Sequence, residues 1–183
     1  MKSFNMVCHV LLSKEADKHA EHVYNLILDQ IKAGIDLCTV THPSNPISER
    51  LTRLNIPNVA APVLMLGHHG VPDRNIRVFQ AHDEKALVWC AIHQAINKKN
   101  KFMGAYPQVS PAPGSMTNWA YNKADILLAC DGKQYELLKQ IAPERRIEDC
   151  SSLTNDAAWQ ERFNEIYTEL GLYRDDPKDR LGF

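Results

Sequence analysis

A chain of 183 residues holds one domain with a substantial core, or a small domain plus an extension. Hydrophobic residues make up 44% and charged residues 23%, the proportions of an ordinary globular protein. The net charge of −1 gives no overall electrostatic reason to expect nucleic acid or an anionic membrane as partner, and no apolar run approaches the roughly 20 residues that span a bilayer. The opening Met1-Lys2-Ser3-Phe4 lacks the basic, apolar and small-residue regions of a signal peptide, which predicts a protein that is intracellular (cytoplasmic) when made.

Phe4 to Leu12 predicts the first strand. Ser13 is placed to cap the helix that follows, with Glu15 and Asp17 suiting the positive end of its dipole. Val23, Leu26, Ile27 and Ile31 recur at helical spacing, and Gly34 ends the helix. Ile35 to Val40 is the next strand, so the chain opens with a βαβ unit whose strands are expected to be parallel. His42 to Pro46 reads as a turn and Ile47 to Leu54 as a short helix. Ala61-Pro62 then introduces Val63-Leu64-Met65-Leu66, an apolar run without alternation that predicts a strand buried on both faces. Ile76 to Phe79 alternates and predicts an antiparallel return strand. A helix to about Asn97 follows, with Leu87, Val88, Ala91, Ile92, Ala95 and Ile96 turned inward.

From Asn100 to Asn118 the composition shifts. Pro107, Pro111, Pro113 and Gly114 predict a linker or extended arm. Beyond it, Ile126 to Cys130 reads as a strand, Gln134 to Ile141 as a short helix, and 156–170 as an amphipathic helix with Trp159, Phe163, Ile166, Tyr167 and Leu170 on one face. Arg174 to Phe183 is charged and expected to fray.

Residues 1–98 thus run βαβαββα, with Ala61-Pro62 before a buried run, and this order resembles the thioredoxin-like superfamily. The resemblance implies an α/β fold, a thioredoxin-like domain at 1–98, a Pro/Gly-rich arm at 99–118 and a mostly helical extension at 119–183. It implies a cis bond at Pro62, beside Ser13, and a loop (Ala60, Ala61, Pro62) whose backbone pairs with an extended peptide or glutathione. Redox members keep a cysteine between the first strand and first helix. Here that position is Ser13, Lys14, Glu15 and Ala16, a degenerate active-site loop without a thiol and without the family's C-x-x-C.

The remaining chemistry is sparse. Five scattered cysteines form no C-x-x-C pair, and Cys8, Cys38 and Cys90 sit in apolar segments as core residues. Glu15, His19 and His22 share a helix face, Cys90 and His93 are three apart, and His68-His69 lies in a turn. No cluster supplies three converging ligands, so no metal and no cofactor is expected. Phosphate-binding and nucleophile-elbow motifs are missing.

These readings predict a non-catalytic thioredoxin-like subunit of a larger protein assembly, for example a minor capsid protein of a virion. Trp119, Tyr121, Trp159, Phe163 and Tyr167 are the expected anchors for its partners, through a segment, 100–183, making the main intermolecular contacts. Two alternatives stand beside it. One is a thiol-redox or glutathione-linked enzyme using Cys8 or Cys38; the other is a single α/β domain that binds a small ligand, with Ile126 to Cys130 adding a strand to its sheet.

Overall fold

The computed structural model describes residues 5–64, 67–71, 75–105 and 109–172. Thirteen elements alternate through them: β1 (Met6–Leu11), α1 (Lys18–Lys32), β2 (Leu37–Thr41), α2 (Pro46–Arg53), β3 (Asn58–Ala60), β4 (Ile76–Ala81), α3 (Glu84–Ile96), β5 (Lys101–Ala105), α4 (Ser115–Tyr121), β6 (Ile126–Ala129), α5 (Gly132–Ile141), β7 (Arg146–Asp149) and α6 (Asp156–Glu169). The strands form one sheet in the order β3-β2-β1-β4-β5-β6-β7, and every neighbouring pair is parallel. This is the doubly wound order of a Rossmann-like fold, with its switch point between β1 and β4.

A parallel sheet needs cover on both faces, and strand alternation divides the residues between two cores. Cys8, Val10, Phe79 and Phe102 face a core built with α3, α4 and α5, around the fully buried Trp89. Val7, Leu11, Val78 and Met103 face the other, built with α1, α2 and α6, around Ile27, Ile47, Phe163 and Tyr167. Five of the six helices start on an Asp or Asn whose side chain accepts a backbone amide of the first turn: Asp17, Asn45, Asp83, Asp131 and Asn155. Each of these caps follows a strand, so the carboxyl edge of the sheet carries a row of short polar side chains.

The thioredoxin-like expectation is overturned. β4 is parallel and lies in the middle of the sheet, paired with β1 and β5, rather than returning as a hairpin. The strand preceding it is Asn58–Ala60; Pro62 to Leu64 form a bend and turn, and Met65 and Leu66 lie outside the described residues. No cis peptide bond occurs among the described residues, Pro62 included. Pro62 follows the edge strand β3 and Ser13 follows β1, with β2 between them. Lys101–Ala105, expected within the arm, is an interior strand, and the sheet runs on through residue 98 to β6 and β7. Pro107 and the tail from Arg174 are outside the described residues.

Gly104 shows how closely this added half is packed. A Cβ there would stand 2.9 Å from Leu127 Cδ2 and 3.1 Å from Leu87 Cδ1, so β5 passes between α3 and its neighbour strand only without a side chain. Gly104→Val is expected to lower the unfolding free energy by about 1–3 kcal/mol through overpacking. Chemical denaturation measures this, and an unchanged midpoint would show that β5 is not held in this core.

Candidate functional site

Ligands of doubly wound sheets bind at the carboxyl edge beside the switch point, where the crossovers part to opposite faces. Here that edge is formed by the ends of β1, β4, β5 and β6 and the first turns of α1. A cavity of about 70 Å³ opens there, lined by His19, His22 and Leu26 of α1, Gln80 and His82 of β4 and its end, Ala105, Leu128, Cys130, and Trp159 and Phe163 of α6.

Beneath it runs a buried polar chain that alternation places on one face. His9 of β1 and Gln80 of β4 are register partners, and both point toward α1 and α6. His9 Nδ1 lies 2.9 Å from His82 Nε2, and His9 Nε2 lies 2.9 Å from Gln30 Oε1. The rings of His9 and His82 stack within 7° of parallel. The Tyr167 hydroxyl joins Gln30, at 2.9 Å, to Gln80. All five side chains are almost wholly inaccessible to solvent. Burial therefore favours the neutral imidazoles: His9 is lowered to about 4, and His82 well below its usual value, the neighbouring His9, His19 and His22 adding to the effect of burial.

Neutrality constrains the hydrogen bonds. His9 Nε2 donates to the Gln30 amide oxygen, a bond that raises its pKa against the effect of burial, so a neutral His9 presents an unprotonated Nδ1 to His82 Nε2. The Gln30 amide nitrogen donates to the Tyr167 hydroxyl, which donates to the Gln80 amide oxygen. The chain is thus a one-way series from His82 to Gln80.

The β1–α1 loop beside the cavity is held differently. Asp83 Oδ2 accepts the amides of Leu12 at 2.7 Å and Ser13 at 2.9 Å, while its Oδ1 accepts Ala86 N at 2.7 Å. Burial pushes the Asp83 carboxyl up against the lowering pull of these three donors. Asn45 Nδ2 donates to the carbonyls of Ser13 and Glu15 at 3.0 and 3.1 Å. Ser13 is therefore not the helix cap; Asp17 is. Ser13, Lys14, Glu15 and Ala16 lie at the switch point, next to the cavity wall that α1 begins.

The other expected positions scatter. Ala60, Ala61 and Pro62 lie at the sheet edge, and the Ala61 amide already donates to Thr41 O at 3.0 Å. Tyr121 is buried under α3 with its hydroxyl on Glu84, and Tyr167 belongs to the polar chain. Trp159 and Phe163 line the cavity, with ring centroids 5.6 Å apart. Trp119 is exposed on α4. No group of three or more potential metal ligands is found among the described residues. His68 and His93 instead cluster with Trp89 under the opposite face, at ring-centroid distances of 4.3 and 5.1 Å from it, with their own Nδ1 atoms 3.2 Å apart. Cys8 and Cys38 are buried register partners, and burial raises the thiols of Cys90 and Cys130. Sequence reasoning did not find His9, Gln30, Gln80 or His82; a histidine or glutamine inside an otherwise apolar strand or helix face was the signal.

No protein-family model matches this chain, and no curated protein matches it in sequence. Solved structures do match in fold. The Anabaena protein HepE, determined in complex with UDP, superposes with a TM-score of 0.60 at 14% identity, covering 91% of this chain and 50% of that one. The lipopolysaccharide outer core galactosyltransferase WaaB gives 0.57 at 9% identity over 74% and 42%. Acinetobacter baumannii MurG gives 0.53 at 6% identity over 68% and 41%. The chain spans half or less of the length of these structures. Their folds are Rossmann-like, and they replace the thioredoxin-like assignment. The non-catalytic, minor-capsid and virion reading rested on that assignment and falls with it. No helix among the described residues is long and apolar enough to cross a membrane.

The neutral histidines make the fold pH-sensitive in a defined direction. The pKa of His9 falls from 6.5 unfolded to about 4 folded, so between those values the unfolded chain binds more protons. Stability is then full above about pH 6.5 and declines as pH falls toward 4, by on the order of 3 kcal/mol for His9 alone. Denaturation across that range checks the slope, and the His9 ring resonances should titrate near pH 4. His9→Gln should flatten the acid limb; an unchanged slope would refute the assignment.

Proposed function

We propose that this chain is one Rossmann-like half of a sugar-transferring enzyme, and that its carboxyl-edge cavity receives the hydroxyl-bearing acceptor rather than the nucleotide diphosphate. Three of the fold's solved counterparts, HepE with UDP, the galactosyltransferase WaaB and MurG, support the class. The chain's length, about half of theirs, supports assigning it one half of such a protein.

The Asp83 clasp is the observation that carries the division of labour. A diphosphate at a switch point is ordinarily held by backbone amides of a glycine-rich first loop and by the helix N-terminus. In this chain the loop Leu12 to Asp17 has no glycine, two of its amides already donate to a carboxylate, and the helix opens on Glu15 and Asp17. An incoming diphosphate meets donors that are already occupied. The cavity beside it offers what a sugar hydroxyl needs instead: imidazoles of His19 and His22 as hydrogen-bonding groups, and the Trp159 ring as an apolar wall. His19 Nε2 donates to the His82 carbonyl, which fixes its ring at the mouth. Activation of an acceptor hydroxyl by one of these imidazoles is general-base catalysis, and a second domain or chain would present the sugar nucleotide.

The small-ligand alternative from the sequence shares this cavity, whereas the thiol-redox alternative loses support. Cys8 and Cys38, the cysteines it would use, are buried register partners inside the sheet, and a reactive thiol needs access.

Ligand-observed NMR with a panel of mono- and disaccharides is expected to give saturation transfer that falls about tenfold or more in Trp159→Ala and His22→Ala. UDP alone should leave the amides of 12–17 unshifted. Tight UDP binding that shifts those amides, or no saccharide contact at all, would overturn the proposal.

A further inference from the structure

We propose that the acceptor sugar places a methyl-terminated substituent, an acetamido group or a deoxy carbon, on the floor of the carboxyl-edge cavity. This rests on the acceptor reading above and adds what the acceptor must carry. Each of α1, α6 and β6 changes character with depth along the cavity wall. The helices run down from the carboxyl edge, so on α1 His19 and His22 come first and Leu26 follows one turn further along the same face. On α6 Trp159 comes first and Phe163 follows one turn later. β6 rises to that edge, so Leu128 lies below Cys130 on the same side of the sheet. Four residues of helix and two of strand each amount to roughly 6 Å. His19, His22, Trp159 and Cys130 are partly or fully exposed, whereas Leu26, Leu128 and Phe163 are buried. The cavity therefore has a rim of imidazole, indole and thiol and a floor of hydrocarbon.

Two polar residues also lie at depth, and both are closed to a ligand. Gln80 Oε1 accepts from the Tyr167 hydroxyl, and His82 Nε2 donates to His9 Nδ1. The Gln80 nitrogen has no hydrogen-bond partner among the described residues, but Gln80 and His82 are only 0% and 2% exposed. A hydroxyl pushed to the floor would lose its water without gaining a partner. A methyl loses nothing there and gains apolar contact. Volume sets the other limit. About 10–15 Å³ admits one water, so a cavity of about 70 Å³ takes a substituent of a few heavy atoms and not a pyranose ring. The ring stays at the rim, where Trp159 is its apolar wall and His19 and His22 meet its hydroxyls.

The test is saturation-transfer NMR on the whole chain with glucose and galactose, each beside its N-acetylamino and 6-deoxy derivatives. At least one kind of derivative is expected to bind about fourfold tighter than its parent sugar, the worth of one buried methyl, with the strongest saturation on the methyl protons. The kind that does so identifies the methyl as that of an amide or of a deoxy carbon. Ala105 lines the cavity from β5, so Ala105→Leu fills part of it and should remove this advantage, the parent sugar still binding within about twofold. A thermal melt checks that the variant folds, and methyl saturation in the unaltered chain is read without it. Equal binding of derivatives and parents, saturation strongest on ring protons, or an advantage that survives in folded Ala105→Leu would overturn the proposal. Those outcomes leave the acceptor reading standing, because the sugars still bind. No saccharide contact in any arm would overturn both.

Discussion

The fold depends on the junction of β1 with β4. These strands are distant in sequence, yet their parallel pairing brings the two halves of the sheet together, and the crossovers leave to opposite faces on either side of it. Asp83 fastens the junction. One carboxylate caps α3 and also accepts two amides from the end of β1 and the loop after it. Burying a carboxylate is costly unless its oxygens are hydrogen-bonded, and here both are. The same contacts determine what the edge can bind, because amides committed to Asp83 no longer form an anion site.

The two sides of the sheet use different physics to reach the same end. One is apolar and aromatic, with Trp89 at its centre and Phe79 and Phe102 beside it. The other combines an aliphatic core with a hydrogen-bonded series through His82, His9, Gln30, Tyr167 and Gln80. A buried network of this kind is favourable only when its members are satisfied together, so it fixes the positions of α1 and α6 against β1 and β4 more tightly than apolar contact alone. Those two helices carry opposing walls of the cavity.

Helix periodicity made α1, α3 and α6 legible in the sequence, and the strands β1, β2 and β6 could be read from their apolar runs. The strand errors have particular causes. Asn58–Ala60 is short and only partly buried, whereas Val63, in the run that suggested a strand, is 54% exposed beyond the sheet edge. The direction of β4 could not be read because the connection after β3 contains, among its described residues, only a 3-10 turn at His68–Gly70 where a crossover helix would have announced parallel strands. Lys101–Ala105 was obscured by the prolines that follow it. Arg146–Asp149 is a charged edge strand, which protects a sheet edge but leaves no hydrophobic pattern to read. The site was least legible: His9 meets His82 across 73 positions and Gln30 meets Tyr167 across 137, separations at which local pattern carries no information.

Charge gives the same lesson at the surface. A net charge of −1 is an average over segments that the fold sends to different places. Glu15, Asp17 and Asp83 gather at the carboxyl edge of the switch point, where a diphosphate would otherwise sit. Lys98, just beyond α3, and Lys123, just beyond α4, line one groove toward the other edge. Because opposite-running connections separate these groups by the length of a strand, the two sets do not cancel within the screening distance of about 8 Å at physiological ionic strength. The parallel topology therefore does more than build a core. By returning every helix against the strand direction, it gathers the helix caps Asp17, Asn45, Asp83, Asp131 and Asn155 at one edge of the sheet, where Asp83 also holds the loop after β1.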